Sequence, residues 1–322
     1  MDELIQEHFA IIPVEIKKLN GYDNANFLIT TEHKKYILKA YNPDFETMEL
    51  LKAENLILLT LQKKNKDIYP SPIPFTDGSY LKIIETDSKK YIWQLLSFLD
   101  GEFLGEVIHN KEMFRSLGKF LAETDLRLKT LHHPIIETRR WKWDIQYLYL
   151  SEKYIEDIPH ISNRQVVRRF FRLFDEHIVP LLPVLRKQII HNDANEWNVL
   201  TKNNRVSGMI DFNDLSYTCL VNEPAIALTY ACFDKKDPLE WAIPIIKAYH
   251  RVLPLEAIEL KILYYLVAAR LSQSVCNAAY ARKIIPENEH AFVSEEKAWR
   301  MLHIWADIDP ADAEKIITEA VK

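Results

Sequence analysis

Short apolar runs typical of β-strands dominate the chain up to about residue 95. Turn signals separate these runs, among them Asn20-Gly21 and Asp77-Gly78-Ser79. The predicted strands span residues 27–30, 35–40, 80–85 and 91–96. One helix interrupts them, and we predict it over residues 46–64, because leucine and isoleucine recur there at helical spacing.

Helical periodicity takes over after residue 100. The predicted helices span about 111–131, 162–181, 222–233, 238–252, 255–281, 294–305 and 310–321. The exception is a β-like island from residue 189 to 212. The chain has no internal repeat and only six glycines, so no flexible linker is expected. These patterns predict two lobes in contact, residues 1–95 and 96–322, with the Leu96–Phe98 stretch crossing between them.

Composition narrows the class of protein. The formal net charge of −5 argues against a nucleic-acid-binding protein with a broad basic face. Cys219, Cys232 and Cys276 are an odd number without metal-type spacing, which argues against a disulfide scaffold or a zinc site and suits a reducing cytoplasm. The acidic N-terminus and the lack of a long apolar stretch predict neither secretion nor a membrane span. Composition predicts nothing about the oligomeric state.

The β-like island concentrates polar groups in one turn, "HNDANEWN", between two apolar flanks. A polar hairpin turn at residues 202–205 returns the chain, so we expect Asp211 to lie close to Asp193 and Asn198. Carboxylate and amide oxygens without thiols suit a hard cation such as Mg²⁺, which is typically shared with substrate phosphates. Asp193 is then the carboxylate that can accept a proton from an attacking hydroxyl.

The spacing His191-x-Asp193-x-x-x-x-Asn198, followed by Asp211-Phe212, resembles the catalytic loop and the metal-binding motif of protein kinases. More closely, it is similar to the aminoglycoside phosphotransferase and choline kinase group. Within that group, "IDFNDLSYTCLVNEPAIAL" is most similar to the hydroxylysine kinase branch, with bacterial homoserine kinase as a near neighbour. The resemblance implies an α+β, two-lobed, protein-kinase-like fold with a small β-rich N-terminal lobe, a larger helical C-terminal lobe, and the cofactors ATP and Mg²⁺.

The resemblance also implies a nucleotide site in the N-terminal lobe. Lys39, on a strand, is expected to bind the α- and β-phosphates, with Glu54 on the following helix as its acidic partner and Glu49 as the fallback. The phosphate-covering turn is expected around Gly21 in "LNGYDNANFLI", which has fewer glycines than the loop of protein kinases. Main-chain groups from Leu96 through Ser97 to Phe98 are expected to read the adenine edge between the lobes.

In the island, the resemblance makes Asn198 and Asp211 the expected Mg²⁺ ligands and Asp193 the catalytic base. His191 is expected to brace the loop through a hydrogen bond to backbone or to Asp211. Asp214 is expected to brace the loop as well.

The acceptor is expected to lie over the helical lobe. Arg270 suits a bidentate grip on a carboxylate, while Trp143 and Asp144 suit an ammonium group. The sequence therefore predicts a kinase for a small hydroxylated molecule, a hydroxy amino acid or amino alcohol of the hydroxylysine or homoserine type. The alternatives are an aminoglycoside or choline-type kinase, and a non-catalytic nucleotide-binding module of the same fold.

Overall fold

The computed structural model describes residues 1–19, 21, 24–63, 67–86, 88–287 and 292–322. Asn20, Tyr22 and Asp23 of the predicted phosphate-covering turn lie outside the described residues, as does Lys64 of the predicted helix. Contacts group the chain into two compact units. The first comprises residues 1–100 and 208–213, and the second comprises residues 101–207 and 214–322.

The described residues of the first unit form a six-stranded antiparallel sheet and two α-helices. The strands are β1 (Glu15–Leu19), β2 (Ala25–Thr30), β3 (Lys35–Tyr41), β4 (Pro72–Ile73), β5 (Lys82–Thr86) and β6 (Lys89–Ser97), and the helices are α1 (Asp2–Phe9) and α2 (Phe45–Gln62). The strand order is β1-β2-β3-β6-β4, with β5 also pairing with β6. In this register Lys39 lies between Asn26 of β2 and Gln94 of β6.

Apolar side chains on one face of this sheet form its core, which includes Ile29, Leu38, Trp93 and Leu95 together with Ile5 and Phe9 of α1. Helix α2 begins at an Asp44 cap, whose carboxylate accepts the backbone N–H of Thr47 at 2.9 Å. Leu51, Leu58 and Glu54 are buried on the same helix.

The second unit is mainly helical. Its α-helices are α3 (Lys111–Leu128), α4 (Pro134–Thr138), α5 (Ile161–His177), α6 (Asn222–Ala231), α7 (Pro238–Val252), α8 (Ala257–Ile284), α9 (Glu295–Ala306) and α10 (Pro310–Val321). Helices α3 and α7 approach each other closely at Gly118, where a Cβ would lie only 2.1 Å from the carbonyl oxygen of Ile245. Any larger residue there would force the two helices apart.

The β-like island forms strands β8 (Lys187–Ile190), β9 (Val199–Lys202), β10 (Arg205–Met209) and β11 (Ser216–Cys219), while β7 (Glu102–Phe103) precedes α3. The strand order is β10-β9-β7 in one small sheet, and β8 pairs with β11 in another. The predicted turn between β9 and β10 contains Asn203 and Asn204, both with left-handed backbone angles. The two loops that follow β8 and β10 carry the polar motif residues.

The predicted fold class is confirmed, since a small antiparallel sheet is combined with a larger helical part. Several boundaries differ from the prediction: α3 ends at Leu128, α5 ends at His177 and α8 continues to Ile284. The prediction also missed α1, β1 and a kinked 3₁₀ segment over Ile145–Asp157. That segment bends at Tyr147, so an apolar period of 3.6 residues does not run through it.

Cys219, Cys232 and Cys276 are buried free thiols. Within the described ranges, every helix is too short or too polar to cross a lipid bilayer.

Candidate active site

The first unit contains a partly buried ion pair between Lys39 on β3 and Asp211 after β10. The ammonium nitrogen of Lys39 lies 2.7 Å from Asp211 Oδ1, and the two side chains are 8% and 43% exposed. Burial by itself lowers the pKa of Lys39, but the charge of Asp211, together with Tyr41 and Glu54, raises that pKa well above its usual value. Lys39 is therefore a permanent cation beside an acid that remains accessible.

Residues before and after Asp211 in the sequence fix the position of its backbone. Its φ of 63° lies in the left-handed region, which Asp and Asn enter more easily than other non-glycine residues. Just before it, Met209 donates its backbone N–H to the carbonyl of Ile68 at 3.0 Å. Just after it, Phe212 packs edge-on against Tyr69 with ring centroids 5.7 Å apart. The hydroxyl of Tyr41 donates to Asn213 Oδ1 at 3.0 Å, which ties the segment to β3.

Glu54, the expected partner of Lys39, is buried on α2, and its charge contributes to the raised pKa of Lys39. Its Oε2 accepts the amide of Gln94 at 3.2 Å, whereas the direct contact of Lys39 is with Asp211. The fallback residue Glu49 instead accepts a hydrogen bond from Lys52 at 2.6 Å. Glu54 therefore lies in the electrostatic environment of Lys39, and Glu49 belongs to a neighbouring surface pair.

Gly21 has a steric reason to be glycine, because a Cβ there would lie 2.4 Å from the carbonyl oxygen of Asn24. At the end of β6, Ser97 donates its N–H to Ser71 O at 2.9 Å and Phe98 donates its N–H to Lys35 O at 3.3 Å. Both N–H groups are thus used within the protein. The expectation that main-chain groups of this stretch read an adenine edge stays a prediction.

The second unit contains the loop between β8 and β9, in which His191 and Asn192 are fully buried. Asn192 has a φ of 68°, which turns the chain before Asp193. Asp193 donates its backbone N–H to His191 Nδ1 at 3.2 Å, and Asn192 donates its backbone N–H to Glu223 Oε2 at 2.9 Å. His191 therefore makes a hydrogen bond to the backbone inside the loop, one of the two forms of bracing that the sequence suggests.

The carboxylate of Asp193 is held from two sides. Arg270 Nη2 donates to Oδ1 at 2.9 Å, while the amides of Asn195 and Asn198 donate to Oδ2 at 2.9 and 2.7 Å. The side chain of Asp193 is 19% exposed, so it remains reachable from solvent. An oriented and accessible carboxylate suits a general base.

Each of the two expected Mg²⁺ ligands offers an oxygen atom. Asn198 uses its amide nitrogen for both contacts with Asp193, to the backbone oxygen at 3.0 Å and to Oδ2, which directs its Oδ1 elsewhere. Asp211 uses Oδ1 for Lys39 and is 43% exposed. An amide oxygen and a carboxylate are hard oxygen ligands of the kind that Mg²⁺ binds together with water and phosphate.

Arg270, which the sequence assigns to an acceptor carboxylate, is engaged within the protein. Its side chain is only 1% exposed, and its guanidinium donates to Asp193, to the backbone oxygen of Trp143, to Tyr230 and to Gln273. A group that is bound to four protein acceptors is not an open cation for a substrate carboxylate.

The two other residues assigned to the acceptor are also engaged. Asp144 is 1% exposed and accepts hydrogen bonds from Gln146 and from the hydroxyl of Thr218 at 2.8 Å. Burial raises its pKa, so an ammonium group would meet a sequestered and hydrogen-bonded carboxyl. The ring of half-buried Trp143 lies 5.0 Å from the guanidinium carbon of Arg270. Arg270, Trp143 and Asp144 form one cluster, and this cluster lies in the interior of the second unit.

Asp214 is expected to brace the loop. Burial by itself lowers the pKa of Arg270, but Tyr230, Asp193 and Asp214 raise that pKa above its usual value. Its backbone oxygen accepts the hydroxyl of Ser216 at 2.9 Å.

Sequence reasoning missed a buried pair of acids behind the Asp193 loop. Burial raises the pKa of Glu223 to about 7, and the N–H groups of Asn192 and His191 oppose that shift. Burial and the charge of Glu223 raise the pKa of Asp125 well above its usual value, while the hydroxyl of Tyr249 donates to it at 2.5 Å. Residue type did not mark Glu223, because an acid at a helix start is favoured by the helix macrodipole alone. The available signal was that it is the single charged residue in the sequence of α6.

The sequence profile of the phosphotransferase enzyme family (APH) matches residues 15–259. The chain is 28% identical to a hydroxylysine kinase of Mus musculus, with 99% of this chain and 92% of that protein covered. It is 29% identical to a homoserine kinase of Sinorhizobium medicae (strain WSM419), with 67% and 62% covered. These matches confirm the resemblance drawn from the island motifs.

A solved structure of an amicoumacin kinase in complex with AMP-PNP, Ca²⁺ and Ami superimposes on the chain with a TM-score of 0.71. The sequence identity is 16%, and 96% of this chain and 95% of that chain are covered. At this identity the likeness concerns the fold alone, and it confirms the predicted kinase-like fold.

Proposed function

The chain belongs to the phosphotransferase enzyme family, and we propose that it transfers a phosphoryl group from ATP to a hydroxyl of a small molecule in an Mg²⁺-dependent reaction. The observation that carries this proposal is the 2.7 Å pair between buried Lys39 and accessible Asp211. A phosphate-binding lysine on a strand and a metal-binding acid after a hairpin are the charged groups that phosphoryl transfer requires.

In this proposal, residues 1–95 form the nucleotide-binding lobe and residues 96–322 the catalytic and acceptor lobe. Lys39 binds the α- and β-phosphates, with Glu54 contributing to its electrostatic environment and Gly21 to the phosphate-covering turn. Carbonyl groups near Ser97 and Phe98 read the adenine. The AMP-PNP in the amicoumacin kinase complex supports nucleotide use.

Asn198 and Asp211 would hold Mg²⁺, which when bound neutralises charge on the phosphates. Asp193 orients the acceptor hydroxyl and accepts its proton on the carboxylate. His191 keeps the backbone of the loop in place, since its Nδ1 accepts the N–H of Asp193. Phosphoryl transfer asks for positioning and charge neutralisation more than for covalent chemistry, which is what these residues supply.

The proposed acceptor is a hydroxy amino acid or amino alcohol. The hydroxylysine kinase relative, aligned over 99% of the chain, favours the amino acid, and the homoserine kinase relative acts in the same chemical class. Aminoglycosides and choline are the alternative acceptors. A non-catalytic nucleotide-binding module is disfavoured because Lys39, Asp193, Asn198 and Asp211 are all present.

The test is an acceptor panel at fixed ATP and MgCl₂, with ADP formation and the mass of the phosphorylated product as readouts. Hydroxylysine, homoserine, aminopropanol, choline and kanamycin represent the candidate classes. We expect the highest kcat/KM for hydroxylysine or homoserine. Acceptor-dependent ADP formation no greater than that of an Asp193→Asn control with every acceptor would refute the kinase proposal, whereas a preference for kanamycin or choline would refute the acceptor class.

A further inference from the structure

Arg270 makes more hydrogen bonds within the second unit than a substrate-binding cation requires. It lies in the middle of the 28-residue helix α8 and is almost completely buried. Its Nη2 donates to Asp193 Oδ1 at 2.9 Å, its Nη1 to Trp143 O at 2.5 Å and to Gln273 Oε1 at 3.2 Å, and its Nε to the hydroxyl of Tyr230 at 3.1 Å.

The acceptors of this guanidinium are themselves anchored. The hydroxyl of Tyr230 on α6 is within 3.0 Å of Ser274 Oγ, one helical turn beyond Arg270. Gln273 donates its amide to the backbone oxygens of Lys142 at 2.9 Å and of Asp144 at 3.4 Å. Because an Arg fork has a fixed planar geometry, these contacts leave little rotational freedom to the nitrogen that faces Asp193.

The opposite side of Asp193 is held by groups from its own loop. Asn195 and Asn198 donate to Oδ2, whereas Arg270 donates to Oδ1. The loop therefore supplies donors to one oxygen, and a residue 77 positions away in sequence supplies a donor to the other. A base whose plane is held presents its proton-accepting oxygen at a fixed position.

We propose that Arg270 is a positioning residue that sets the carboxylate plane of Asp193 and does not bind the acceptor. This inference rests on the proposed function, in which Asp193 accepts the proton of the acceptor hydroxyl. It assigns acceptor recognition to residues other than the buried cluster around Arg270 and Asp144.

A double-mutant cycle tests the proposal in the full chain, with Arg270→Met, Arg270→Lys, Asp193→Asn and the combined Asp193→Asn/Arg270→Met variant. Hydroxylysine and its decarboxylated analogue serve as acceptors. Arg270→Met should lower kcat by about 30-fold while the KM for ATP changes less than about twofold, because the base is misdirected but nucleotide binding is not. Arg270→Lys should recover part of the loss through one remaining charge-assisted hydrogen bond.

In the Asp193→Asn background, loss of Arg270 should cost less than about threefold, since two residues that act through one group are not additive. An equal loss in both backgrounds would overturn the proposal. A loss confined to the KM for hydroxylysine and absent for its decarboxylated analogue would overturn it too, because Arg270 would then read the acceptor carboxylate.

Arg186→Met is the matched control, since Arg186 also pairs with a buried acid of the second unit, Glu259 of α8, at 2.9 Å. It should lower the melting temperature without lowering kcat. If the wild type phosphorylates no acceptor, the proposed function fails, and crystal structures still decide the positioning role. The carboxylate of Asp193 should rotate in Arg270→Met, and an unchanged carboxylate would refute the inference.

Discussion

Lys39 in the first unit and Arg270 in the second are both buried cations that contact a carboxylate more exposed than themselves. The side chains are 8% and 43% exposed in the Lys39–Asp211 pair and 1% and 19% exposed in the Arg270–Asp193 pair. The chemistry of the two cations differs. An ammonium is a compact point charge on a flexible stem, whereas a guanidinium is a rigid fork that can serve several acceptors at once.

This difference fits two different tasks. In the proposed function, Lys39 exchanges its contact with Asp211 for a phosphate of the nucleotide, which an ammonium can do because it has no preferred plane. Arg270 is committed to four protein acceptors and would lose several hydrogen bonds by turning towards a ligand. The first pair is therefore suited to binding, and the second to holding a catalytic group still.

The largest expected effect comes from the first pair. Asp211→Ala should abolish Mg²⁺-dependent nucleotide binding, because a metal ligand is lost and buried Lys39 is left without its carboxylate. Calorimetric titration of ATP with MgCl₂ and with EDTA measures this. Asp77→Ala is the control, since Asp77 pairs with Lys82 on the surface of the same unit and should leave binding unchanged. Tight Mg²⁺-dependent binding in Asp211→Ala would remove Asp211 from the metal site.

Asp193→Asn in the second pair should lower kcat by about a hundredfold or more while ATP–Mg²⁺ affinity stays near the wild-type value. An amide oxygen still accepts from Arg270, so the fold around the loop is kept, but the proton acceptor is lost. Steady-state turnover and equilibrium nucleotide binding are measured on the same preparation. If affinity falls in parallel with turnover, the division of tasks between the two pairs is wrong.

The buried acid behind the Asp193 loop should make stability depend on pH. Burial raises the pKa of Glu223 from 4.5 to about 7. Between these two pH values the folded state therefore binds a proton that the unfolded state releases. The resulting stabilisation is fully present below pH 4.5 and is lost as the pH rises to about 7. The total change is roughly 3 kcal/mol on the scale of 1.36 kcal/mol per pKa unit.

Urea unfolding of the wild type and of Glu223→Gln between pH 4.5 and pH 8 measures this dependence. The glutamine can still accept the N–H of Asn192 but cannot ionise. The free energy of unfolding of the wild type should therefore fall relative to that of the variant as pH rises. Parallel profiles would show that Glu223 is ionised throughout.

The smallest effects should come from two tyrosines that support the two pairs. Tyr230→Phe removes one acceptor of Arg270 and should lower kcat by about three- to tenfold, about 1 kcal/mol, without affecting ATP affinity. Tyr41→Phe removes the hydrogen bond to Asn213 in the first unit and should instead weaken ATP binding. If Tyr230→Phe weakened ATP binding and Tyr41→Phe lowered kcat alone, the distinction between the two pairs would be wrong.

Much of the architecture could be predicted because it depends on local pattern. Helices α3, α6, α7, α9 and α10 have starts within about one residue of those expected, since an apolar face repeats every 3.6 residues within each segment. The loop of Asp193 also folds on itself, since its contacts with His191, Asn195 and Asn198 all lie within five residues. The grouping of these acidic and amide side chains in one loop could therefore be predicted from their spacing.

The roles of the isolated charged residues could not be predicted with the same success. Arg270 was matched to a substrate carboxylate because a guanidinium suits one, and it contacts Asp193, 77 residues away. Asp144 was matched to an ammonium group, and it accepts a hydrogen bond from Thr218, 74 residues away. In each case the charged side chain is buried and bonded within the protein. Residue type and spacing do not report burial.

The amino-acid sequence by itself determined the elements of the fold, the spacing of His191, Asp193 and Asn198, and the family to which the chain belongs, because these depend on neighbours along the chain. Only the tertiary structure decided that Lys39 contacts Asp211, 172 residues away, that Arg270 holds Asp193, and that Glu223 stands behind the loop. The physical reason is that the free energy of a charged side chain depends on its desolvation and on the partner that compensates for it, and both are set by packing between segments distant in sequence.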